Sequence, residues 1–232
     1  ILNLGTSWLS REILFGVLFA GAGFLFALMQ WRKWGSPRLR NLVALVAAVF
    51  GLGLILSMAM VYYSLPAVPA WNHWATLASF FATTLLLGAV AISAAFVGAY
   101  AWLHARKHEA STQQRHILSI TLRWMALIAL VVLGIQLVIQ PIYMGYLAAN
   151  GPVAEQSAAI LVSEHGLLFA LRFVLLFLGA GLFSFFIYKF ARSTHNLRLL
   201  STLAFAAFAL VLAGELIGRY LFYASFARIG PM

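Results

Sequence analysis

Five ionisable side chains stand inside otherwise apolar runs: Arg11, Glu12, Arg172, Glu215 and Arg219. A carboxylate in such a setting can accept and release a proton, and guanidinium groups beside it can steady a developing anion. Glu215 and Arg219 are four residues apart with the acid first, the favourable order for a pair on one helical face. Such a pair neutralises itself, and Gly214 and Gly218 beside it have the small-xxx-small spacing that admits a neighbouring helix at close range. Glu12 is different. Its neighbour Arg11 points about 100° away around a helix, so any partner must come from elsewhere. A partly desolvated carboxylate without a fixed partner is fit to take a proton. The plainer alternative is a helix-start glutamate favoured by the dipole. Arg123 stands apart from these five, about two turns in from the opposite face, where snorkelling accounts for it.

The elements that carry these residues follow from composition. The chain has 232 residues, 64% of them hydrophobic and 9% charged, with a mean hydropathy of +0.97. Soluble domains carry about 25% charged residues, so lipid must be much of the solvent here. Six runs are long enough to cross a bilayer as helices, with limits near 8–30, 41–65, 74–103, 117–144, 165–189 and 197–225. The expected fold is an all-α integral membrane protein, one polytopic domain built as an antiparallel helix bundle. Paired glycines at Gly21/Gly23, Gly51/Gly53 and Gly179/Gly181 suggest packing seams between spans.

Charge alternates along the connections. The first carries Arg32, Lys33, Arg38 and Arg40, the third Arg106, Lys107 and Arg115 against Glu109, and the fifth Lys189, Arg192 and Arg198. The second has no formal charge, and the fourth has Glu155 and Glu164 without a base. Basic loops face the cytoplasm, which puts loops one, three and five inside and both ends of this chain on the periplasmic side of a bacterial inner membrane. Glu12, Arg172, Glu215 and Arg219 then share the outer leaflet. The outer connection Val68-Pro69-Ala70-Trp71-Asn72-His73-Trp74 is stiffened by prolines and aromatics and is placed to cap a pocket there, through Trp71 and His73. Tyr143, Tyr146, Tyr220 and Tyr223 read as interfacial anchors.

Several function classes are disfavoured. Fifteen Lys and Arg against five acids would suggest nucleic acid in a soluble protein, but here the bases lie between spans. There is no cysteine, so this chain cannot supply thiolate ligands to an iron–sulfur cluster or zinc site. The six histidines sit in or beside loops or at a helix start, which argues against bis-histidine haem. No phosphate-binding or nucleophile-elbow motif is present. A solute carrier is the alternative class, although mid-span breaks of the kind carriers use are missing apart from Pro141.

Four stretches carry a resemblance. They are Leu9-Ser10-Arg11-Glu12-Ile13, Val68 through Trp74, Leu171-Arg172-Phe173-Val174-Leu175-Leu176, and above all Leu212-Ala213-Gly214-Glu215-Leu216-Ile217-Gly218-Arg219 with Phe222-Tyr223. In register over nearly the whole chain, they resemble the membrane anchor subunit of dimethyl sulfoxide reductase. The resemblance implies an eight-helix, haem-free subunit that oxidises menaquinol and passes the electrons to an iron–sulfur subunit, which serves a molybdopterin catalytic subunit. The family's quinol-site glutamate falls on Glu12. Arg11, Arg172, Glu215, Arg219, His73 and Trp71 are the expected surroundings of the quinol. Because the chain begins at Ile1, two N-terminal helices and a loop histidine of the family are expected to precede it. A passive anchor with no quinol site is the second alternative.

Overall fold

The computed structural model describes residues 3–105, 112–190 and 197–229. Arg106, Lys107, His108, Glu109, Arg192 and His195, which the charge and histidine patterns assign to loops, lie outside the described residues. By contact the chain divides into two compact units, Ile1–Ala67 with Trp71–Phe81, and Val68–Ala70 with Ala82–Met232.

The first unit is built on a helical hairpin. Helix α1 (Trp8–Arg32) starts where Ser7 Oγ accepts from the Ser10 N–H at 3.3 Å. Helix α2 (Pro37–Tyr63) starts in the same way, with Ser36 Oγ accepting from the Leu39 N–H at 3.2 Å and Pro37 in the first turn. Between them the chain reverses through Lys33 (φ 53°) and Gly35 (φ 72°), both left-handed. The two helices close on aromatic rings seated over glycines. A Cβ at Gly53 would stand 2.6 Å from the Phe15 ring, and one at Gly51 would stand 3.1 Å from Phe19. This seam is asymmetric, because α2 supplies the hollows and α1 the rings. At Gly21 and Gly23, expected to form a seam of their own, an added Cβ would meet no other element within 4 Å among the described residues.

Helix α3 (Trp74–Ala105) begins in the first unit and continues into the second. There it is joined by α4 (Thr112–Ala149), α5 (Pro152–Ala159), α6 (Gly166–Leu176), α7 (Ser184–Phe190) and α8 (Leu197–Ala224). The fifth span is not a regular α-helix. A π-helical stretch, Phe177–Phe183, joins α6 to α7, and another, Ile160–Glu164, leads from α5 towards α6. The connection expected over 145–164 is therefore largely helical. Helix α4 runs on to Ala149, Gly151 turns the chain at φ 92°, and α5 lays Ala154 and Ser157 inward. At 1.5 Å per residue α4 is about 57 Å long, well over the roughly 30 Å of a hydrocarbon core.

Small residues let the helices of the second unit approach. One core cluster joins Leu86, Ala129, Leu133, Leu176, Ala180 and Val211. A second joins Val97, Leu118, Leu122, Ile187, Leu200 and Ala204. Many other large apolar side chains point outward, Phe24 (72% exposed) and Leu167 (84%) among them. That inside-out distribution is stable only against lipid. Six helical segments are long and apolar enough to cross a membrane, and no strand occurs among the described residues. The all-α membrane class read from composition is the one observed.

Candidate functional site

In the second unit, four helices deliver polar side chains to one buried point. Glu215 of α8 is 5% exposed. Its Oε2 accepts from Thr83 Oγ1 of α3 at 2.7 Å, and its Oε1 accepts from Gln136 Nε2 of α4 at 2.9 Å. Arg172 of α6 brings Nη2 to 3.9 Å from Oε2. Glycines make the approach of α6 possible. A Cβ at Gly214 would meet Leu176 Cδ2 at 3.0 Å and the Arg172 carbonyl oxygen at 3.3 Å. A Cβ at Gly218 would stand 2.6 Å from Arg172 Nε and 2.7 Å from its Cζ, in the space the guanidinium fills. The helix admitted by the two glycines is thus α6, and the charge beside them is Arg172. Arg219 holds its Cζ 5.7 Å from the Phe222 ring.

The cluster is not saturated. Gln136 Oε1 and Arg172 Nε are buried without a hydrogen-bond partner among the described residues, and unmet polar groups in a low-dielectric interior are costly. Thr83 and Gln136 are the contributors that sequence reasoning missed. Both are uncharged, and the one available signal was a glutamine in the middle of an apolar run.

In the first unit the other expected site residues take separate local tasks. Arg11 donates from Nε to the Leu4 carbonyl and from Nη2 to the Gly5 carbonyl, each at 2.8 Å, with its Cζ 4.2 Å over the Trp8 ring. Its guanidinium ties the residues ahead of α1 to the first helical turn. Trp71 packs edge-on to Tyr62 with ring centroids 5.3 Å apart, and its carbonyl accepts from Thr76 Oγ1. His73 precedes α3 and acts as its cap, since Nδ1 accepts from the Ala75 N–H at 3.3 Å. Only a neutral imidazole can accept there, and burial holds the His73 pKa below its usual value. Asn72 Nδ2 donates to the Tyr63 carbonyl, which fixes the loop across the end of α2.

Glu12 contrasts with these. It is partly exposed and makes no hydrogen bond or ion pair among the described residues. It lies one turn before Phe15 and Gly16, on the stripe that α1 turns towards α2, where Gly16 approaches Leu54. Two of the tyrosines expected as lipid anchors have further work in the second unit. Tyr143 donates to the Ala70 carbonyl at 2.8 Å, and Tyr146 donates to the Pro69 carbonyl at 3.4 Å. The short Val68–Ala70 stretch is pinned to α4 by its backbone.

Among the described residues no group of three or more His, Cys, Asp or Glu is placed to hold a metal ion. Six helices among the described residues are long and apolar enough to cross a membrane, which makes this a multi-pass membrane protein. The DMSO reductase anchor subunit family (DmsC) matches residues 1–225, and the protein belongs to that family. It is 32% identical over 232 residues to the C subunit of the anaerobic dimethyl sulfoxide reductase of Escherichia coli (strain K12), a match covering 98% of this sequence and 71% of that protein. It is 29% identical to the C subunit of the same enzyme from Haemophilus influenzae (strain ATCC 51907 / DSM 11121 / KW20 / Rd), covering 95% of this sequence and 68% of that protein. It is also 29% identical to the anaerobic dimethyl sulfoxide reductase subunit YnfH of Escherichia coli (strain K12), covering 98% and 72%. No solved structure matches.

Proposed function

We propose that this subunit oxidises menaquinol at the membrane for a dimethyl sulfoxide reductase-type complex in anaerobic respiration, with Glu12 as the proton acceptor. Menaquinol gives up two protons and two electrons as it becomes menaquinone. Glu12 takes the proton of one quinol hydroxyl and passes it to water, and then takes the proton of the other. The electrons pass to an iron–sulfur subunit, because a sequence without cysteine has no thiolates to hold such a cluster itself. A molybdopterin subunit then consumes the electrons in reducing the terminal acceptor.

The observation that carries this reading is the state of Glu12. Arg11, Trp71 and His73 are occupied by the local contacts described above, whereas the Glu12 carboxylate has no partner among the described residues and keeps access to its surroundings. A base that must take a proton from a visiting substrate needs a free acceptor oxygen. Glu215, by contrast, already accepts two hydrogen bonds and faces Arg172. We assign the Glu215 cluster to holding the second unit's helices together rather than to the proton step.

The test is Glu12→Gln in the intact complex. Quinol-driven reduction should fall by about two orders of magnitude or more, the loss typical of removing a general base. Reduction driven by an artificial dye that feeds electrons directly to the partner subunits should stay at the wild-type level. Wild-type quinol-linked turnover in this variant would remove Glu12 from the role. A protein that purifies alone and moves a solute into vesicles would instead support the carrier alternative.

A further inference from the structure

The second unit carries a groove whose lining includes no member of the Glu215 cluster. It lies between α4 and α7 and has a volume of about 480 Å³. Its lining brings the cationic Arg123 together with Tyr188 and the apolar Trp124, Ile120 and Leu127. His116 and Ser119 complete the lining. On α4 the series His116, Ser119 or Ile120, Arg123 and Leu127 repeats every three or four residues, so these side chains form one stripe.

Arg123 is pre-oriented. Its Nη2 donates to the Tyr188 hydroxyl at 3.0 Å, and its Cζ sits 4.7 Å over the same ring. The two contacts with one ring hold the guanidinium in place. Nη2 carries a second hydrogen, and it, the Nε hydrogen and the Nη1 hydrogens have no acceptor among the described residues, so a two-donor fork that includes Nη2 stays open; the Tyr188 hydroxyl can donate its own hydrogen beside it. Tyr188 is next to Lys189 in the last turn of α7. The guanidinium therefore stands level with the charged end of that span and not at mid-bilayer depth.

We propose that this groove binds the phosphate headgroup of an anionic phospholipid. An arginine with one fork of two neighbouring N–H groups open, and with its position fixed by Tyr188, matches a phosphate bidentately. The groove walls decide what kind of phosphate. Trp124, Ile120 and Leu127 are 60%, 44% and 40% exposed, on a surface that faces lipid. A free phosphate ion would gain nothing from these walls, whereas a phospholipid lays its acyl chains along them. Basic pockets at the edge of a membrane domain suit anionic headgroups for this reason. The snorkelling explanation for Arg123 accounts for its reach; the stacking on Tyr188 and the open groove give that reach a target.

The experiment is native mass spectrometry of the detergent-purified full-length protein with its co-purifying partners, titrated with phosphatidylglycerol or with phosphatidylcholine. The wild type should retain phosphatidylglycerol in preference to phosphatidylcholine. Arg123→Gln should weaken phosphatidylglycerol binding about fivefold, the contribution of one basic side chain near an anionic surface, and remove the preference. Ser119→Glu gives a second reading that does not depend on losing the arginine. The new acid lies four residues before Arg123, in the favourable order for a helical pair, and so should abolish binding while the fold is kept. Inorganic phosphate at millimolar concentration should leave lipid retention unchanged. Equal retention of the two lipids by the wild type, undiminished phosphatidylglycerol binding in both variants, or displacement by inorganic phosphate would each overturn the proposal.

Discussion

Glu215 shows how far a single residue can be understood from its neighbours in the chain. Its spacing from Arg219 and the flanking glycines marked it as a helical pair open to a close neighbour, and the close neighbour is there. What the order of residues does not display is that its hydrogen bonds come from α3 and α4 and its facing cation from α6. Thr83 and Gln136 carry no charge, so nothing in composition separates them from the other polar residues scattered through spans. The coupling can be measured. Glu215→Gln leaves the Arg172 charge buried without its counter-ion, and it should lower stability by about 3–5 kcal/mol in denaturant titrations of the purified protein. Arg172→Gln should cost a similar amount. The double variant should cost clearly less than the two single changes added together, since each removes the reason for the other's penalty. Strict additivity would mean that the two groups do not act as a pair.

At the scale of the element, six apolar helices were legible because lipid demands long uninterrupted runs. The π-helical stretches and α5 were not. A π turn shifts the register of a span without changing its hydropathy, and the residues over 145–164 mix polar and apolar types too evenly to announce a helix. The Phe177–Phe183 stretch does leave one trace, the glycine pair Gly179/Gly181. In the structure Gly179 is pressed against α8, where a Cβ would stand 2.9 Å from Val211 Cγ2 and 3.0 Å from the Ala207 carbonyl oxygen. Gly179→Ala should therefore destabilise the protein by about 1–3 kcal/mol, the cost of overpacking a close contact. Gly134→Ala is the control. It is helical with nothing within 4 Å, and there alanine should be neutral or stabilising by up to about 1 kcal/mol. Thermal unfolding of both variants in the same detergent distinguishes a packing seam from a general intolerance of alanine.

For the whole molecule, the alternation of basic and non-basic connections gives a direction to the fold, which we propose places the α1–α2 turn in the cytoplasm and α5 outside. The absence of cysteine makes this directly testable. A single cysteine at exposed Gln156 should react with a membrane-impermeant thiol reagent added to spheroplasts, whereas one at exposed Trp34 should react only after the membrane is opened. The opposite labelling would invert the orientation. The division into two units had no counterpart in the sequence, because both are made of the same kind of apolar helix and the boundary falls inside α3. The empty side chain of Gly218 has a consequence of another kind. Since the Arg172 guanidinium occupies the volume a methyl group would need, the two positions are a single heritable trait. Descendants of this sequence that enlarge residue 218 must move the Arg172 guanidinium from its place beside Glu215, so changes at 172 and 218 should tend to be inherited together.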